Sequence, residues 1–182
     1  MSRNLIYLKA SPSPFDIYTL KDTLPHQQPV ISTTLSLNPG AIYSLFLHGE
    51  KSSAAWSLFK DDIPLINRQD STTHVRIANF SEAQAISVNI KDHAPGSLVQ
   101  SLPYKSLSAF IELEADITIA GYTFEFRDQE TGALLSTYTT SNFQAAAVSP
   151  SQWLAKSNTL VFSGKPAGIS PNNQKITLMN HR

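Results

Sequence analysis

Glu112, Glu114 and Asp116 alternate along one predicted strand, so all three project from a single face. Two carboxylates held at the right separation can flank a glycosidic bond as acid and nucleophile or base. The same alternation is also what a strand shows on its watery side when Ile111 and Leu113 take the other, and the three acids fit that outward face better than a catalytic pair. Asp61 and Asp62, with Asp70 further on, offer oxygens to calcium. A calcium loop gathers several ligands at close spacing around a bend glycine, and no such loop surrounds this pair. They read as solvated turn acids. The five histidines, at positions 26, 48, 74, 93 and 181, show neither HxxxH nor HxH spacing, and each falls at a turn or strand end. Zinc and a hydrolytic triad therefore find no support. The absence of cysteine removes disulfides, thiolate nucleophiles, iron–sulfur clusters and cysteine-bound zinc together. No GxSxG elbow occurs. Asn79-Phe80-Ser81 matches a glycosylation sequon but lies in a predicted strand. No catalytic, cofactor-binding or metal residue is assigned.

Aromatic side chains are the better clue. Trp56, Trp153, Tyr104 and Tyr138 lie at or near predicted strand ends and loops. Exposed rings can stack on the C–H face of a pyranose, but the favoured reading is that each tryptophan plugs the end of its own sandwich. Trp153, Trp56 and Tyr104 are the candidate carbohydrate-stacking residues. Trp153 leads, because it sits in the irregular stretch AVSPSQWLAKS (147–157).

The elements that would position these residues are strands. In GYTFEFRDQETGALLSTY (121–138), Tyr122, Phe124 and Phe126 share one face and Thr123, Glu125 and Arg127 the other. Asp128 to Gly132 supplies a turn, and Leu134, Leu135 and Tyr138 carry a return strand. The aromatic face of this hairpin needs a second sheet to cover it. Further strands are expected over 4–9, 15–20, 30–37, 42–47, 56–59, 74–80, 86–90, 104–113, 117–119, 159–163 and 175–179. IYSLFL (42–47) is nearly all apolar and is expected to be a central strand buried on both faces. Ser149-Pro150 is expected to cap a single helical turn containing Trp153 and Leu154. No window holds a 3.6-residue apolar period for three turns. The fold class is all-β, and a two-sheet sandwich suits the spacing better than a closed barrel.

At 182 residues the chain can form one large domain or two modules of roughly 90 residues. Hydrophobic residues make up 41% and charged ones 15%, below the roughly 25% usual for soluble domains, so a core is affordable. Fourteen basic residues balance fourteen acidic ones, and no Lys/Arg run appears. Nothing in that balance gathers nucleic acid or an anionic membrane. No apolar stretch has the length of a leader or a transmembrane helix. The polar stretch NRQDSTT (67–73) marks a boundary between residues 1–68 and 69–182.

Two blocks of the chain are alike. IYSLFLHGEK (42–51) matches TLVFSGKP (159–166), LIYLK (5–9) stands where YTFEF (122–126) stands, and PVISTTLSL (29–37) where ALLSTYTTS (133–141) stands. A strand beginning almost at residue 1 is expected to mean that the first unit is incomplete at its N-terminus. HVRIANFS (74–81), GYTFEFRD (121–128) and NTLVFSG (158–164) carry a further likeness. With these segments, residues 30–182 resemble a family of tandem immunoglobulin-like β-sandwich repeats, a domain of unknown function in exported proteins and lipoproteins of Bacteroidota. The acidic-Ala-Pro turn of that family is replaced here by Glu82-Ala83-Gln84. The resemblance implies tandem immunoglobulin-like β-sandwiches at the cell surface, in the periplasm or outside the cell, and it implies no activity.

The expected function is a non-enzymatic spacer, adhesion or assembly module without cofactor, meeting an unknown protein or glycan. A carbohydrate-binding accessory module is the alternative. If the first unit lacks strands, its open edges invite pairing with a second copy.

Overall fold

A computed structural model describes residues 11–22, 24–67, 70–82, 85–144, 151–170 and 172–181. The expected strand over 4–9 lies outside them. The chain divides into two compact units, one ending at Asp62 and the other running on from Ile63. The protein is all-β, as its patterning requires.

The larger unit is a sandwich of two sheets. Strand β5 (Thr72–Ser81) opens it, and β6 (Ile86–Ile90), β7 (Val99–Leu102), β8 (Ser106–Leu107) and β9 (Ile111–Glu114) follow, while β1 (Ser13–Ile17), β2 (Ile31–Leu35), β3 (Ile42–His48) and β4 (Ala55–Asp61) belong to the smaller unit. The hairpin β10 (Thr123–Asp128) and β11 (Leu134–Thr139) comes next, then β12 (Ser157–Gly164) and β13 (Lys175–Asn180). One sheet has the order β11-β10-β6-β7, while the other runs β13-β12-β5-β8, with β9 also pairing β5. All pairings are antiparallel except β12 with β5, which runs parallel from Ser157↔His74 to Gly164↔Ser81.

Period-2 patterning explains the core. Val75 and Ile77 of β5 and Leu160 and Phe162 of β12 meet Ile86 and Val88 of β6 and Phe124 and Phe126 of β10, and all eight are essentially sealed from water. Phe126 and Phe162 lie 5.4 Å apart between ring centroids across the two sheets. Each such side chain contributes about 1.5–3 kcal/mol by leaving water. The aromatic face of the β10–β11 hairpin thus has the covering sheet it needs.

Two expected strands differ, and one strand arises where none was expected. The stretch 104–113 is not one strand: Lys105 takes φ +62°, and the hydroxyl of Ser108 accepts the Ile77 N–H where a backbone carbonyl would, which splits β8 from β9. Residues 117–119 form a turn, because the Asp116 carboxylate accepts both the N–H and the hydroxyl of Thr118. Polar VQSL (99–102) is a strand, β7, that its composition does not announce.

The smaller unit contains two antiparallel pairs among its described residues: β1 (Ser13–Ile17) with β2 (Ile31–Leu35), and β3 (Ile42–His48) with β4 (Ala55–Asp61). A short 3₁₀ turn, Lys51–Ser53, joins β3 to β4. The expectation that 42–47 is central and doubly buried fails. β3 pairs only with β4 among the described residues, and Ile42 and Leu47 remain 55% and 54% exposed.

Candidate functional site

The carboxylates singled out in the sequence are spent separately. Glu112 and Glu114 point outward from β9 while Ile111 and Leu113 pack against the core. Asp116 is absorbed by its turn, where hydrogen bonds from Thr118 hold its carboxyl below the usual range. Asp61 is buried and accepts the Ser44 hydroxyl at 2.6 Å, Asp62 is exposed, and Asp70 belongs to the other unit. Among the described residues no three or more His, Asp or Glu side chains gather to hold a metal ion.

Four of the five histidines have side-chain contacts, and His93 is exposed. His26 stacks on Tyr18 with centroids 4.4 Å apart, and His48 meets Ser57 at 3.0 Å. His74 Nε2 lies 3.3 Å from Glu112 Oε2. His181 is buried, with Nε2 2.8 Å from Thr159 Oγ1 and its ring edge-on to Phe110. The sequon asparagine is also structural. Asn79 is fully buried, donates to the Leu102 carbonyl at 3.0 Å and accepts the Ser81 N–H.

Trp153 must be removed from the carbohydrate-stacking set. It is 0% exposed, lies stacked on Phe124 at 6.1 Å between centroids, and packs against Phe143 and Tyr138. Its ring closes the hydrophobic core, and no face is left for a sugar. Ser149-Pro150 lies outside the described residues. The capping oxygen is that of Ser151, which accepts the N–H groups of Trp153 and Leu154 in a turn with no helix. Tyr104 sits half-buried in the turn between β7 and β8, with Lys105 Nζ 5.0 Å from its ring centre. Burial first, and then the Glu82 charge, push its phenol upward. Trp56 is 36% exposed on β4, in the other unit.

Around Trp56 lies the surface that sequence reasoning missed. The register of the β3–β4 hairpin sets Leu47 opposite Trp56, Leu45 opposite Leu58 and Tyr43 opposite Lys60, so these six share one face. The other face carries Ile42, Ser44, Phe46, His48, Ala55, Ser57, Phe59 and Asp61. Polarity does not separate the two faces: the second holds buried Phe46 and Asp61 together with Ile42, which is exposed, while the first leaves Leu47 and Trp56 partly in water. Polar residues at 44 and 48, both even-numbered, were the available clue that 43, 45 and 47 form a separate apolar row. Leu47 also borders a recess of about 340 Å³ whose lining includes Ile17, Val30, Ile31 and Ala54.

On the outer face of the β11-β10-β6-β7 sheet, Glu125 accepts from Arg127 at 2.7 Å and from Asn89 at 2.9 Å. These bonds, that of Arg127 foremost, hold its carboxyl below the usual range. This trio ties β10 to β6 and has no reacting geometry of its own. No protein-family model matches the chain, and no curated protein matches it significantly.

Proposed function

We propose that this chain is a non-enzymatic β-sandwich module that works by surface contact, as a spacer, adhesion or assembly element at a cell surface. The observation that carries the reading is the β3–β4 hairpin, one face of which leaves Leu47 and Trp56 side by side and partly in water. Exposed apolar side chains clustered in register mark contact surfaces more often than isolated ones do. The resemblance to tandem immunoglobulin-like repeats of exported Bacteroidota proteins and lipoproteins supports the setting. Its three segments fall on β5, β10 and β12, where they supply the core. Immunoglobulin-like topology, the tandem arrangement and the extracellular location belong to this proposal.

The partner favoured by a leucine-rich surround is a protein, with a second copy of the chain as the first case to examine. Carbohydrate binding is the second reading, and the partial exposure of Trp56 favours it. Sedimentation velocity over a wide concentration range, on wild type and Leu47→Glu, tests the first. Self-association that the substitution abolishes is expected. A thermal-shift panel of oligosaccharides tests the second, since a ligand of the native state raises the midpoint by mass action. A saturable shift lost in Trp56→Ala would move the assignment to a carbohydrate-binding module.

A further inference from the structure

Across the outer face of the five-stranded sheet, three strands contribute one row of chemically distinct side chains. Glu112 of β9 stands opposite His74 of β5, and His74 stands opposite Ser157 of β12. All three lie on the face away from Val75, Ile111 and Leu160, which pack in the core. Adjacent strands are about 4.8 Å apart, so the three are lateral neighbours.

Glu112 Oε2 lies 3.3 Å from His74 Nε2. A carboxylate at this distance favours the proton of a neutral imidazole on Nε2, which leaves Nδ1 as the acceptor. That Nδ1 is sealed from solvent, and among the described residues nothing bonds to it. The hydroxyl oxygen of Ser157 is in the same condition, on a residue 1% exposed. One buried acceptor beside one buried hydroxyl, at register-paired positions, defines a site for a molecule that donates to the first and bonds to the second. Water meets both requirements, and buried waters in proteins are found where two or more polar groups lack protein partners.

We propose that His74 and Ser157 hold a buried water molecule, which donates to His74 Nδ1 and hydrogen-bonds to Ser157 Oγ. The row then runs Glu112 carboxylate, imidazole, water, hydroxyl, with the water bonding β5 to β12 through side chains and the Glu112 charge lying beside the imidazole. The nearby Thr73 hydroxyl, donating to the Lys156 carbonyl at 3.0 Å, clasps the same end of the β5–β12 seam directly.

A high-resolution crystal structure of the full chain tests the site. A solvent peak about 2.7–3.2 Å from both His74 Nδ1 and Ser157 Oγ is expected. A dry gap, or a direct bond between the two side chains, overturns the proposal. Long-range ¹H–¹⁵N correlation in solution provides an independent reading. It should show neutral His74 as the Nε2–H tautomer in wild type and in Ser157→Ala, and a mixture of tautomers in Glu112→Leu. The Nδ1–H tautomer in wild type overturns the proposal whether or not crystals form.

Discussion

Glu125 shows how a polar side chain can matter to this protein without doing chemistry. Its carboxyl is held below the usual range by Arg127 and then Asn89, while Asp128 is held low by the Thr131 and Glu130 N–H groups and the Thr131 hydroxyl. A carboxylate with a lower folded than unfolded pKa adds stability that is full above the unfolded value, about 4, and is lost as pH falls through the folded one. Denaturation followed from pH 7 to pH 2 should therefore show an acid limb that Glu125→Gln makes shallower. Trp153 is the opposite kind of residue, apolar and enclosed. Trp153→Ala is expected to lower unfolding free energy by about 3–5 kcal/mol in urea titrations. Asn79→Ala strands the Leu102 carbonyl and the Ser81 N–H in the interior and should cost about 1–3 kcal/mol by the same measurement.

Among the elements, the β10–β11 hairpin was the most legible, because Phe124 and Phe126 alternate with Glu125 and Arg127 and a glycine turn follows. The strands β5, β6, β12 and β13 were readable for the same reason. What the residues did not disclose was pairing. The run Ile42–Leu47 looked doubly buried because apolarity within one strand cannot tell how many neighbours it will have. Trp153 leads the candidates for an exposed ring because its surroundings are irregular and polar, yet Ser151 turns the chain back and the ring lies in the core, plugging the sandwich. The His74–Ser157 pairing joins positions that only the parallel register brings together, so no local pattern could reveal it. Turn chemistry is a sharper constraint at the element ends. Gly164 closes β12 with φ +111°, and a Cβ there would collide with the backbone of Asn173. Gly164→Ala should cost more than about 1 kcal/mol, read as a drop in thermal midpoint.

At the scale of the whole molecule, the two units are unequal in what they bury. Among the described residues the smaller one encloses Ile31, Leu35 and Phe46, against the continuous aromatic core of the larger. Two-stranded sheets are marginal by themselves. Amide exchange in β1 to β4 should accordingly run ahead of exchange in β5 and β12, and equal protection in both units would contradict this. The parallel seam has a different consequence, one that concerns the order of events in synthesis. Arg76 and Thr159, bonded across it, are 83 positions apart in the chain. While a ribosome is still making the intervening strands, hairpins such as β10–β11 can close locally, but β5 has no β12 to lie against. Long-range pairings of this kind close slowly and leave intermediates exposed. In the nascent larger unit the β12 side of β5 therefore stays an open edge until residue 164 has emerged, although β8 and β9 can already lie against its other side, and that open edge is what a holding chaperone would have to cover.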